Sequence, residues 1–388
     1  MSIQIEARRQ DSELQTRLLT LTVKDKRVIT PRRSLCLTKD THSESKVIAN
    51  PKVRGINEVP RRITKEKLLD IDSDLKKQED FYYDIASRFR TFIPDDEINL
   101  FVYTYDNGDR KKGVPNKTPT ETETEYLCGL LEHPFNDVWI PPVVPGLSGS
   151  DYVPYLEKFY SLVASRRGIP VAGLIPHIGR LDIRRLADLY MTHRINYLVM
   201  DFDDKNPLAL IGNINQTRAL VRRIESESGS PCFLHGLNVP FYRGMWKDPV
   251  LMARDVLLFG LGFNCYGSSH VFRPWRPMSK DVLERIKNSP KRFRLFNRQD
   301  YGYYRDDVVR SEELEEREPV AVKLSDVRAA GDRKTTRAFE SAFNAERQGL
   351  EVDEIRSKLI DGVRLTRHFA AKKQLSPLVM EKLFAPPR

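Results

Sequence analysis

The feature that most constrains this chain is an alternation that begins at Asp137, where apolar runs of strand length take turns with amphipathic segments of helix length. DVWIPPVV reads as a strand and YVPYLEKFYSLVASRRG as a helix closed by Gly168. IPVAGLIPHI and IRRLADLYMTHR follow, then INYLVMDF and NINQTRALVRRIESESG, then SPCFLHGLNV and DPVLMARDVLLFGLG, with FNCYGSSHVF as the closing strand. Strands separated by single helices run parallel, because a right-handed crossover is the short connection that returns the chain in the same direction. No G-x-G-x-x-G follows the first strand, and the strand ends carry His177, Asp201, Asp203, His235, Asn238 and His270. Polar strand ends without a dinucleotide fingerprint predict an α/β fold of the (β/α)8 TIM-barrel type, with its site on the C-terminal face.

The N-terminal third is less regular. RLLTLTVKDKRVIT alternates as a β-hairpin does, and RSLCLT fits a first barrel strand. Residues 41–92 are charged and helix-leaning, NLFVYTYDNG reads as another strand, and residues 106–125 read as a surface loop rich in Lys, Thr, Asn and Pro. The expected organisation is a hairpin and first strand over 1–40, a (β/α) barrel over 41–275, and a basic aromatic segment with a helical appendage over 276–388. No internal repeat and no low-complexity segment interrupts this plan.

Length and composition, 388 residues with 40% apolar and 30% charged, exclude a disordered tail, a collagen-like repeat and a small disulfide scaffold. The longest nearly uninterrupted apolar run, residues 256–263, is far below the roughly 20 residues that span a bilayer, so no membrane partner is expected. Acidic residues stand where a signal peptide would have its apolar centre, which predicts a cytoplasmic protein. Cys36, Cys128, Cys232 and Cys265 form no C-x-x-C pair and no Cys/His cluster, so they read as reduced thiols, and neither a metal nor another cofactor is expected.

The net charge of +10 has a local source. Residues 271–310 hold eleven Lys or Arg against five Asp or Glu, interleaved with Phe272, Trp275, Phe293, Phe296, Tyr301, Tyr303 and Tyr304. Positive charge with flat rings suits a polyanion whose bases stack, so Arg273, Arg276, Lys291, Arg292, Arg294 and Arg298 are candidate nucleic-acid contacts; an ordinary solvated face with inward-packed rings gives the same pattern. An acidic run, SEELEERE, and two helical stretches, TTRAFESAFNAERQGL and VDEIRSKLIDGVRLTRHFAAKK, complete the chain.

RLLTLTVKDKRVITP, WIPPVVP, AGLIPHIGRLDIRRLADLY, PCFLHGLNVP and GLGFNCYGSSHVF occur in that order. The order resembles the tRNA-guanine transglycosylase family, especially its archaeosine-type branch and the relatives that insert deazaguanines into DNA, over about residues 15–40 and 120–275. The resemblance implies a TIM-type barrel and a queuine tRNA-ribosyltransferase-like pentosyl transfer. A guanine-type base in DNA or tRNA would be exchanged for a 7-deazaguanine, with a homodimer or a partner protein as a further expectation. In this register the family's nucleophilic aspartate falls on Gly267, its base-reading glutamine on Pro176, its Gly-Gly platform on Asp201-Phe202 and the aspartate before I-P on Trp139, while its zinc cysteines are absent.

Base exchange of this kind needs a nucleophile on the sugar carbon and a second group to move protons. Asp201 and Asp203, two apart on a strand, are expected to face the same side and to supply that chemistry, to read a base edge, or to hold a cation. As a plain structural pair they would cap a loop and face a helix. Asp106, in YDNG, falls near the family's other active aspartate, though Asp-Asn-Gly is first of all a turn signal. His177, His235 and Asn238 are candidate substrate-binding residues. Three functions remain open at this point: a transglycosylase-like enzyme with an altered carboxylate set, a barrel that binds nucleic acid without catalysing, and an unrelated metal-dependent hydrolase built on Asp201, Asp203 and strand-end histidines.

Overall fold

A computed structural model describes residues 3–89, 96–108, 114–166, 168–176, 182–241, 247–271, 279, 281, 284, 292–309, 314, 316, 318–376 and 380–381. It opens with an antiparallel three-stranded sheet, β1 (Ile3–Gln10), β2 (Arg17–Val23) and β3 (Lys26–Ile29). The last two are the expected hairpin, turning at Lys24 with φ of 57°. After it, β4 (Arg32–Arg33) runs through Ser34 into β5 (Leu35–Cys36), the expected first strand.

A strand that composition conceals comes next. Helix α1 (Glu44–Val47) leads to β6 (Ile56–Thr64), where a charged, helix-leaning segment was expected. Asn57, Glu58, Arg61 and Arg62 break the apolar alternation there, yet the strand is held in nine-residue parallel register with β7 (Ile98–Asp106), from Ile56↔Ile98 to Thr64↔Asp106. The helix-leaning composition is realised only beyond it, in α2 (Lys65–Asp72) and α3 (Leu75–Phe89). Every residue of β7 is buried, as in a strand covered on both faces.

The predicted alternation then appears almost in full. Helix α4 (Glu121–Leu131) starts at a capping box made by Thr120 and Glu123. It is followed by β8 (Val138–Trp139), α5 (Gly149–Ala164), β9 (Gly173–Ile175), α6 (Ile183–Thr192), β10 (Tyr197–Asp201), α7 (Ile211–Ser228) and β11 (Phe233–Val239). Asp182 caps α6, and Gly229, with φ of 69°, ends α7. The fourth expected helix, DPVLMARDVLLFGLG, does not form. Its start becomes strand β12 (Val250–Met252) and its middle a 3-10 turn, Val256–Phe259, before β13 (Cys265–Ser268). Its residues 256–259 are all buried, so the segment has no polar face for a surface helix to present.

These strands form two parallel sheets, ordered β4-β13-β11-β10-β9 and β5-β6-β7-β8. At one edge β4 passes directly into β5; at the other, Trp139 of β8 bridges in parallel to Val171, just ahead of β9. A second antiparallel sheet, β12-β15-β14, uses β14 (Arg294–Asn297) and β15 (Gly302–Arg305).

The C-terminal part is helical: α8 (Leu324–Ala329), α9 (Arg333–Asp361) and α10 (Leu365–Ala370). Two separate helical stretches were expected here, but α9 is continuous through Gly349, whose missing side chain leaves room for Val53; an added Cβ would overlap that valine. One core cluster runs from Leu18 and Leu21 of the hairpin through both parallel sheets to Ile355, Leu359 and Phe369. A smaller one joins Phe293 and Leu295 to Val327 and Phe343. Among the described residues no helix is long and apolar enough to cross a membrane.

Candidate active site at the ends of the parallel strands

Glu58 is the centre of the site. It lies on β6, 1% exposed, and its carboxylate meets Ser34 between β4 and β5, His235 of β11 and His270 just beyond β13. Ser34 Oγ donates to Oε1 at 2.6 Å, His235 Nε2 lies 2.7 Å from Oε1, and His270 Nε2 lies 2.7 Å from Oε2. Burial opposes ionisation of this carboxyl, but the hydrogen bonds and charge of His235 and His270 prevail and hold it well below the usual carboxylate range. An ionised carboxylate only accepts, so both Nε2 atoms carry hydrogen. Burial likewise disfavours the imidazolium form of either ring, yet the sulfurs of Cys265 and Cys36, together with Glu58, raise both imidazoles above their ordinary value. Tyr197 OH closes the far side of His235 at 2.9 Å from Nδ1.

Gly267 explains how a glutamate fits there. A Cβ built on Gly267 would overlap the Glu58 carboxylate, so the volume a side chain at 267 would fill is already taken by one from β6.

Asp201 ends β10 and joins this cluster through Asn238. The pairing of β11 with β13 shifts register between Gly236 and Val239, and Asn238 sits in that irregularity with φ of 57°. From there its Nδ2 donates to Asp201 Oδ1 at 2.8 Å, and its Oδ1 accepts from the backbone N–H of His270 at 3.0 Å. Burial pushes the Asp201 carboxyl up to about 6, against the pull of its hydrogen bonds from Asn238 and the Asp203 backbone. A carboxyl poised there exchanges protons near neutrality, as general acid–base work requires.

Asp203 differs from expectation. The strand stops at Asp201, and Asp203 takes a left-handed conformation, φ of 47°, in the loop beyond, so the two do not share a strand face. Its backbone N–H donates to Asp201 Oδ1 at 3.0 Å, while its half-exposed carboxylate lies 3.2 Å from Lys205. Both aspartates nevertheless border one cleft of about 300 Å³, between residues 144–149, Tyr152 and Lys205.

Asp106 ends β7 and is held by Arg62 Nη2 at 2.7 Å. His177, Arg273, Arg276 and Lys291 lie outside the described residues. The structure thus brings Asp201, His235 and Asn238 into one network. It adds Glu58, Ser34 and Tyr197, which sequence reasoning missed, and gives His270, noted only as a strand-end histidine, a central place. Among the described residues no three His, Cys, Asp or Glu are grouped to hold a metal ion.

The expected basic, aromatic surface is largely turned inward where it is described. Phe293, Phe296, Tyr301 and Tyr303 are buried. Arg294 is 1% exposed and donates to the Asp248 carbonyl, and Arg298 faces Glu316, Glu351 and Glu354. Arg294 thus serves packing and backbone carbonyls and Arg298 internal charge balance; Arg292 is exposed. No family model and no curated protein matches this chain.

Proposed function

We propose that this protein is a divergent transglycosylase-like enzyme that exchanges a guanine-type base for a 7-deazaguanine in DNA or tRNA. In this reading the two parallel sheets are one closed (β/α)8 barrel, joined through Ser34 and through the Trp139–Val171 bridge, and the site is its C-terminal mouth. The observation that carries the proposal is the Glu58 carboxylate standing in the space above Gly267. That is where the resemblance puts a reacting carboxylate, and β6 supplies one although the position itself is glycine. An anionic centre there stabilises positive charge that develops on a sugar as its base departs. Asp201, half protonated near pH 6, gives a proton to the leaving base and takes one from the incoming base.

The test offers labelled guanine or a labelled deazaguanine to the protein with DNA and, separately, with tRNA, and scores label retained in the polymer. Incorporation into one polymer that Asp201→Asn abolishes supports the proposal and names the target. A binding module without catalysis is the second reading, because all three strong donors on Glu58 come from the protein itself. Salt-sensitive binding with no incorporation into either polymer selects it.

A further inference from the structure

Cys36 ends β5, two residues beyond Ser34 and so on the same side of the strand. Its sulfur lies 3.9 Å from Nδ1 of His270, whose Nε2 is 2.7 Å from Glu58 Oε2. Thiol, imidazole and carboxylate therefore stand in the order of an activated nucleophile, its base and the group that orients the base. The geometry agrees: with Nε2–H given to Glu58, Nδ1 is the ring nitrogen that faces the sulfur and is placed to take its proton.

Glu58 itself is badly placed to attack. It is 1% exposed, and Ser34, His235 and His270 occupy both its oxygens. Cys36 is partly exposed, whereas Cys128, Cys232 and Cys265 are buried, and burial pushes the thiols of Cys128 and Cys232 up to about 12. Among the described residues, the charged groups around Cys36 also include Glu44, which accepts from its backbone N–H at 2.9 Å, and Arg88 of α3. Glu44 is balanced in turn by Arg33 at 3.7 Å and by the hydroxyls of Ser268 and Ser341.

We propose that Cys36 is the nucleophile of this site, with His270 as its base and Glu58 as the positioning group, and that it attacks the anomeric carbon of the nucleotide whose base is exchanged. The choice of substrate rests on the base-exchange reading; the reactivity of the thiol does not. In the first half-reaction the thiol proton passes to His270 and an S–C1′ bond forms. The C1′–N bond breaks, and its electron pair leaves on the base nitrogen, which takes a proton from Asp201. In the second, the incoming base gives a proton to Asp201 and bonds to C1′ through nitrogen. The S–C1′ pair then returns to sulfur, which recovers its proton from His270. No oxidant or reductant is needed.

Iodoacetamide tests the thiol on the full chain, with alkylated peptides measured by mass spectrometry. Cys36 in the folded wild type is expected to react about tenfold or more faster at pH 6.5 than the same cysteine in the urea-unfolded chain. His270→Gln and Glu58→Gln are each expected to slow Cys36 at pH 6.5 by about tenfold or more. Equal rates for Cys36 in the folded and the unfolded wild type overturn its activation even if both variants fail to fold.

Denaturing capture tests the substrate: polymer carrying a replaceable base is quenched in denaturant, and the Cys36 peptide is examined for attached nucleic acid. Adduct in the wild type and none in Cys36→Ala supports the assignment. Base exchange with no adduct, undiminished in Cys36→Ala, overturns Cys36 as nucleophile. An activated thiol with neither exchange nor adduct overturns the base-exchange reading and leaves the thiol standing.

Discussion

Two buried glutamates, each gripped by histidine, show how differently one chemical motif is used in the two halves of this protein. Glu351 on α9 is 0% exposed and takes Tyr301 OH and His368 Nε2, each at 2.7 Å, and Lys372 Nζ at 2.9 Å, with Arg298 Nε at 3.5 Å. Burial opposes its ionisation, but His368 and Lys372 hold its carboxyl at about 2. Glu58 is as deeply buried, but its partners are a hydroxyl and two imidazoles, and one imidazole leads on to a partly exposed thiol. Permanent cations around Glu351 make a fastener that ties α9 and α10 to the β14–β15 sheet. Around Glu58 the partners are titratable rings, and one of them, His270, stands between the carboxylate and the Cys36 thiol.

The largest expected effect is on the fastener. Glu351→Gln leaves Lys372 without its buried counter-charge, while Arg298 keeps Glu316 and Glu354, and is expected to cost about 3–5 kcal/mol in urea unfolding. Glu58→Gln is expected to cost less, about 1–3 kcal/mol, because imidazoles can shed their protons when the carboxylate is gone. Equal losses for the two variants would erase the distinction.

Asp201 sharpens it through pH. Its folded pKa, about 6, lies above that of an unfolded aspartate, about 3.9, so folding binds a proton. The associated stability is complete below about pH 4 and lost as pH rises through about 6. Asp201→Asn, which cannot ionise, is therefore expected to match the wild type at pH 4 and to exceed it by up to about 3 kcal/mol at pH 8, from the two-unit shift. Parallel stability curves for the two proteins would refute the buried, proton-exchanging carboxyl.

Gly267→Ala comes next, at about 1–3 kcal/mol, because the new methyl overlaps Glu58 in a packed interior. Iodoacetamide labelling of Cys36 should slow in the same variant, since Glu58 must move and His270 with it. Destabilisation without slower labelling would separate Glu58 from the thiol.

Much of the frame was legible because its signals are local. The hairpin over β2 and β3, the strand at Cys36, the strand ending at Asp106 and the parallel units from Asp137 to Val239 all follow from apolar periodicity. Glu58 was not legible, and the reason is instructive. A buried polar residue in a strand replaces an apolar one, so the polar residues of β6, Glu58 among them, hide it as a strand. Asn238 was legible as a polar strand end, but not the register shift that turns it toward Asp201. The basic segment misled for the opposite reason: Arg294 and Arg298 look like surface charge until the Asp248 and Tyr303 carbonyls are folded against the first and three carboxylates against the second, most of them distant in sequence.

That misreading yields the smallest expected effect. An arginine that neutralises a phosphate contributes about 0.9 to the slope of log affinity against log salt for duplex DNA. Arg298, 14% exposed at its side chain, already faces Glu316, Glu351 and Glu354, so Arg298→Gln is expected to lower the unfolding midpoint while leaving that slope unchanged. The exposed Arg292 is the contrasting position, where Arg292→Gln reduces the slope by about one if this face meets nucleic acid. A reduced slope in Arg298→Gln at full folding would mean that binding draws this arginine away from Glu351, and the fastener would then be part of the nucleic-acid surface after all.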